Sequence, residues 1–274
     1  MDSLCGLATL YYENRQIKET RYYKNNKLNG LTKGFNNDGS LNYRINFIDS
    51  TQNGLYERYF PSGNIKEKGE IKDQQFYGHY NSYYENGQIE KDYSYRGYNI
   101  DGPYLVYFEN GKLMIECNYS IGNIQGKWQQ YHEDGTLYET GNYSDGLREG
   151  VWISYFPDST IYMIGTYNNG HTEGLWKVYH NNGTLKQEGN FISGIPNGGW
   201  KYYYNNGTIK MKGSYDNNKS VGHWIHYYDD GHIKLDLYYA NGMLDGIITA
   251  YDNSDNIIEQ AEYKENNLIR QIKK

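Results

Sequence analysis

The chain has 274 residues and a formal net charge of −6, with 34 tyrosines and 32 glycines but only 4 prolines and 37% apolar residues. The acidic balance excludes a general nucleic-acid binder, which carries a basic excess. The low apolar share excludes a thick two-layer core, and the hydrophobic material is mainly tyrosine, whose ring packs while its hydroxyl stays wet.

Residues 1–5 read as an N-terminal lead. They hold no basic segment followed by an apolar run, so no export signal is expected. The two cysteines, Cys5 and Cys117, lie far apart; they make no disulfide framework and fit a reducing, cytoplasmic compartment. No stretch approaches the length of a membrane span.

From residue 6 the chain is periodic. Glycine stands at 6, 30, 54, 78, 102, 126, 150, 174, 198, 222 and 246, always 24 residues apart. Eleven units therefore fill residues 6–269, and residues 270–274 are left as a short basic tail. With this glycine as position 1, position 6 is always aromatic, from Tyr11 to Tyr251, and position 12 is always Ile or Leu, from Ile17 to Ile257. Position 18 is aromatic in every unit except where Ile71 stands, and position 3 is Trp128, Trp152, Trp176, Trp200 and Trp224 in five consecutive units.

Positions 9 and 10 carry Asn-Gly or Asp-Gly in most units, as in Asn182-Gly183 and Asp230-Gly231. Between aromatic and β-branched runs this pair predicts a two-residue type I′ hairpin, in which both central residues need positive φ. Each unit is then a strand at positions 2–8, a tight turn and a strand at 11–18, with a polar loop at 19–24. In that register, facing positions sum to 19. Position 3 faces 16, so the tryptophans face Gly141, Gly165, Gly189 and Gly213 in four units; position 6 faces 13. Trp128, Trp152, Trp176, Trp200 and Trp224 and those four glycines are thus expected to be structural. The invariant aliphatic at position 12 reads as core, so Leu185→Ala should carry a core penalty of roughly 2–4 kcal/mol. The fold class expected is all-β, an elongated array of eleven antiparallel hairpins forming one long twisted sheet or trough.

The unit Gly174-Leu-Trp-Lys-Val-Tyr-His-Asn-Asn-Gly-Thr-Leu-Lys-Gln-Glu-Gly-Asn-Phe resembles a MORN repeat (membrane occupation and recognition nexus). It is similar above all to the bacterial variant, whose pattern runs Tyr-Tyr-x-Asn-Gly-x-Leu-Lys-x-x-Gly-x-Tyr. The resemblance covers essentially the whole chain and is strongest over residues 126–236. It implies an array of β-hairpins. Some bacterial members are labelled antitoxin-like, and eukaryotic relatives are scaffolds linked to membranes or partner proteins.

No set of unlike catalytic groups converges once, as an enzyme would require; the same groups recur unit after unit. The chain therefore reads as non-enzymatic, with no catalytic residue, metal or cofactor. His223, His226 and His232 share the tenth unit with Asp229 and Asp230, but alternation along a strand separates His223 from His226, so they read as surface and edge residues. His132 and His180 at position 7 read as ring substitutes, and Cys117 at position 16 as a buried stand-in for glycine. One asymmetry is the run of lysines at position 13: Lys186, Lys210 and Lys234. The expected register sets each against Tyr179, Tyr203 or Tyr227, with Lys177, Lys201 and Lys212 on the same face. Tyr179, Lys186, Tyr203, Lys210, Tyr227 and Lys234 form a candidate recognition strip for another protein of acidic character. The function expected is a scaffold that binds a partner protein, as an antitoxin or immunity protein does. A membrane-associated scaffold and a glycan-binding repeat protein are the alternatives. Membrane contact is not favoured by the negative charge.

Overall fold

The structure, a computed structural model, describes residues 3–274; Met1 and Asp2 of the N-terminal lead lie outside them. Among the described residues all regular structure is β, in 25 strands. The chain divides into two compact bodies, Met1–Thr136 and Leu137–Lys274. Within each, successive strands pair antiparallel, except that Lys27–Leu28 and Gly30–Phe35 both pair with Ile17–Lys24, and Met243–Leu244 and Gly246–Tyr251 both pair with Ile233–Ala240.

Inside each hairpin the expected register holds over positions 1–5. Trp176 is the cross-strand partner of Gly189, and Trp152 of Gly165. It fails at the turn. Gly183 N–H donates to His180 O at 2.9 Å and His180 N–H to Thr184 O at 2.8 Å. The loop thus has three residues, Asn181 to Gly183, of which only the glycine is left-handed, at φ +81°. This is the longer hairpin form in which a turn is followed by a glycine bulge. The extra residue shifts the pairing, so Tyr179 faces Leu185 at position 12 and not Lys186 at position 13.

The two-residue turn with both residues at positive φ occurs elsewhere, at positions 20 and 21. Asn169 and Gly170 have φ +48° and +79°, and Asn217 and Asn218 have +47° and +65°. What reads from the sequence as a polar loop at positions 19–24 is therefore a type I′ turn, and the next strand already begins at position 22, as in His171–Tyr179. At the C-terminus, the basic tail also continues a strand. Asn267–Lys273 pairs with Ile257–Lys264, setting Arg270 opposite Glu262.

The periodic glycine has a backbone reason. Between units the pairing steps from Gly189↔Trp200 to Asn190↔Asn197. One strand advances one residue while the other advances three, so Gly198 and Gly199 bulge out. Gly198 has φ +76°, and all eleven glycines of the period lie between +65° and +130°. A Cβ at that φ is strained, so glycine is required wherever one unit passes to the next.

Tryptophan closes this junction in the C-terminal body. A Cβ on Gly141, Gly165, Gly189 or Gly213 would run into the ring of Trp152, Trp176, Trp200 or Trp224. Each ring therefore lies over the glycine of the preceding unit, whereas the sequence suggested its own. The indole N–H donates to the preceding unit's position-17 carbonyl: Trp176 to Thr166 at 3.1 Å, Trp200 to Asn190 at 3.2 Å. The rings meet position-18 rings edge-on, Tyr167–Trp176 at 5.1 Å and Phe191–Trp200 at 5.2 Å, which is the favoured aromatic geometry. These four tryptophans are buried, whereas Trp128, which follows a unit with Cys117 at position 16, is half-buried. In the N-terminal body a tyrosine takes this role at one junction. Tyr80 covers Gly69 and donates its hydroxyl to Glu67, which also accepts from Tyr56 at 3.3 Å.

The turn edge is stapled as well. Position-7 side chains donate to the position-6 carbonyl of the next unit: Tyr204 to Tyr227 and Tyr228 to Tyr251, both at 2.8 Å. His180 makes the same contact with Tyr203 O at 3.3 Å, so it replaces the ring and its hydrogen bond together. At position 9, Asn182 accepts from the Thr184 N–H within its own turn and donates to Asn205 O of the next.

Position 12 is not core: Leu185 is half-buried and Ile161 is 38% exposed. Trp200→Ala should therefore cost about 3–5 kcal/mol, and Leu185→Ala only roughly 1 kcal/mol. Urea unfolding of the two variants measures both. Equal losses would show that the ring junction is not the dominant contact.

Candidate functional site

The sheet of the C-terminal body has one face carrying the tryptophans and a second carrying positions 2, 4, 15 and 17. On the second face the cross-strand pairs join into a row: Lys177↔Glu188, Glu188↔Lys201, Lys201↔Lys212, Lys212↔Ile225 and Ile225↔Asp236. The candidate strip read from the sequence does not stay together. Tyr203 donates its hydroxyl to Glu188 at 2.9 Å, and the Lys212 ammonium lies 5.5 Å from the centre of the Tyr227 ring. Those tyrosines belong with position 15. The position-13 lysines do not reach them: Lys210 lies over Tyr204 at 5.6 Å and Lys234 over Tyr228 at 5.4 Å, both position-7 rings. Lys186 is exposed and Tyr179 half-buried. The cause is the bulged residue at position 13, which takes the lysine out of register with position 6.

The structure adds a feature that the candidate strip missed. Position 2 carries an exposed aliphatic in several units: Val151 is 52% exposed, Leu175 49% and Ile247 44%. In the ninth unit it is Gly199, and a Cβ there would meet nothing within 4 Å. The missing side chain leaves an open groove of about 520 Å³. Leu175 and His223 flank it, and Glu188, Lys201 and Lys212 line it. Glu188 serves two partners, Lys201 at 3.5 Å and the Tyr203 hydroxyl, and burial with that hydrogen bond pushes Tyr203 up to about 12. The signal was present in the sequence as the one glycine in a row of larger residues at position 2.

The histidines of the tenth unit stay apart. His223 pairs with Asp236 and stacks on Tyr238, with ring centres 4.7 Å apart. His232 reaches Asp255 of the next turn at 3.0 Å, which raises its pKa. His226 is half-buried at position 5, and burial first, then Lys234 and Lys210, lower its pKa from the ordinary 6.5. Among the described residues no group of three or more His, Cys, Asp or Glu is placed to hold a metal ion. Among the described residues no helix is long and apolar enough to cross a membrane.

Cys117 is 1% exposed, and burial pushes its thiol up to about 11. Cys5 is exposed, and the Asn25 N–H that donates to its sulfur at 3.3 Å lowers its pKa. Iodoacetamide at pH 8 should alkylate Cys5 and spare Cys117 in the folded protein, as read by peptide mass spectrometry. Because the folded state disfavours protonated His226, its contribution is full above pH 6.5 and is lost as pH falls through the lowered folded value. Melting temperatures should therefore drop less from pH 7 to pH 5 in His226→Phe than in the parent.

Comparison with known proteins separates family from likeness. No curated protein matches the chain. Among solved structures, the crystal structure of TcdB2-TccC3-Cdc42 is similar at 11% identity and a TM-score of 0.17, over 93% of this chain and 19% of that one. The structure of TcdB2-TccC3 without its hypervariable C-terminal region gives 11% and 0.22, over 97% of this chain and 17% of that one. The Photorhabdus luminescens Tc holotoxin pore with the TccC3-D651A mutation gives 10% and 0.16, over 89% and 16%. The chain thus spans under a fifth of the length of these chains. The MORN repeat variant family matches nine segments, residues 4–25, 52–73, 76–96, 100–120, 124–145, 148–169, 172–193, 196–217 and 220–243, and passes over the second and last units. With those matches extending over most of its length, and the hairpins they describe present in the structure, the chain belongs to the MORN repeat variant family.

Proposed function

We propose that the chain is a non-enzymatic scaffold that binds a partner protein on the position-2 face of its C-terminal body. The observation that carries this reading is the exposed aliphatic row, Val151, Leu175 and Ile247, broken at Gly199 and His223, where the groove opens. Exposed apolar groups set in a row, with a charge-lined groove along it, mark interaction surfaces. The scaffold beneath is stiff, because ring junctions and turn staples join successive units, so little ordering entropy is lost on binding. Residues that recur hold the units together, and recognition falls where the recurrence breaks. The narrower reading is an antitoxin or immunity protein that sequesters its partner, working inside the cell.

The test is affinity capture from the native host with the parent and with Val151→Glu/Leu175→Glu, both checked for folding by circular dichroism. The captured protein is purified and titrated directly. It should bind the parent and lose at least about tenfold in affinity for the double variant. If nothing is enriched by the parent, or the two proteins bind alike, the reading fails.

A further inference from the structure

Lys201 and Lys212 are direct cross-strand partners. Like charges set opposite one another destabilise a sheet. In the neighbouring hairpin the equivalent pair is Lys177 and Glu188, a complementary one. Glu188 is within 3.5 Å of Lys201 and already accepts from Tyr203, whereas Lys212 has only the Tyr227 ring at 5.5 Å and Ile225 on its far side. The row therefore holds an uncompensated positive charge on the lining of the groove. Gly199, beside it, is equally unexplained by folding. Its backbone is not left-handed, and a side chain there would meet open space. Leucine stands at this position in four other units, as Leu7, Leu31, Leu55 and Leu175.

Two neighbouring positions thus carry residues that folding alone would replace, and both shape the same groove. We propose that this groove binds an acidic peptide segment of a partner protein. An Asp or Glu carboxylate of the segment bridges Lys201 and Lys212, and an adjacent large apolar side chain fills the gap left at Gly199, between Leu175 and His223. This rests on the protein-binding reading and names the chemistry of its contact. Residues kept against stability are what a site of this kind requires.

Parent, Gly199→Leu and Lys212→Glu proteins are titrated with fluorescein-labelled peptides in which Asp or Glu adjoins Leu or Phe. Matched peptides carry Asn or Gln, and inorganic phosphate is the free-anion probe. Anisotropy reads binding, and melting temperature is followed in parallel. The acidic peptides should bind the parent, more weakly as salt rises, and each substitution should weaken them about tenfold or more. Neither substitution should lower the melting temperature, and Lys212→Glu should raise it by about 1–3 °C. The proposal is overturned if no acidic peptide binds, or if the amide peptides bind equally well. It is also overturned if phosphate alone occupies the site as tightly as the peptides, or if both variants melt lower than the parent. A captured partner that still binds Gly199→Leu and Lys212→Glu but not Val151→Glu/Leu175→Glu leaves the protein-binding reading standing and removes the groove from it.

Discussion

Each unit of this chain meets the next at a left-handed glycine, and the contact made there by one aromatic ring governs the rest. The bulge at Gly198 lets the strand cross to the following hairpin with its pairing shifted. It also brings Trp200 over Gly189, where a side chain would collide, and aims the indole N–H at the Asn190 carbonyl. A bulge in a sheet that lacks a second layer would ordinarily be a weak point, because it interrupts the ladder where nothing covers it. Here the ring covers bare backbone, fills the space above it and takes up a carbonyl together. Ring contacts to Phe191 on one side and Tyr215 on the other then carry packing from unit to unit. A sequence with few aliphatics can fold in this way because its rings do the work that a layered core does elsewhere.

How much of this was legible follows from which features have a local cause. The period, the strands and the Trp-to-Gly pairing were readable, since each depends on residue type at a fixed spacing. The two turns were exchanged, because Asn-Gly serves either form. What decides between them is the number of residues between the paired strands, and composition does not reveal it. That one-residue difference propagated into the candidate strip. A two-residue turn sets Lys210 and Lys234 against Tyr203 and Tyr227, whereas the bulged hairpin rests them on Tyr204 and Tyr228. The position-12 residues were overrated for a related reason: an aliphatic in every unit looks like core, yet at the bulged end of the hairpin it is only half covered. The groove escaped notice because its signal is a missing side chain, which has meaning only once the neighbouring side chains are placed.

The same comparison separates two kinds of regularity. On the tryptophan face, a departure from the repeat can be compensated in place, as when His180 keeps the hydrogen bond that Tyr204 and Tyr228 make one and two units later. On the opposite face, nothing fills the space at Gly199, and Lys212 has the Tyr227 ring where Lys177 has a carboxylate as its cross-strand partner. A repeat protein offers an internal control that a single globular domain lacks, because each unit shows what its neighbours would be if folding were the sole constraint.

The direction of the contacts between units has a further consequence. Tryptophans donate backward, to the preceding unit, while position-7 and position-9 side chains donate forward, as Tyr204 does to Tyr227 O and Asn206 to Asp229 O. Every internal hairpin thus presents the acceptors that its own donors seek in its neighbours. Among the units that carry both the tryptophan and the position-16 glycine, copying one 24-residue block in place would create a junction of the same kind as those beside it. A copied block one residue longer or shorter would strand the indole and the turn amide at that junction together. Length in such a chain can change by whole units without a new kind of packing problem being solved, and the surface it presents grows in steps of one hairpin.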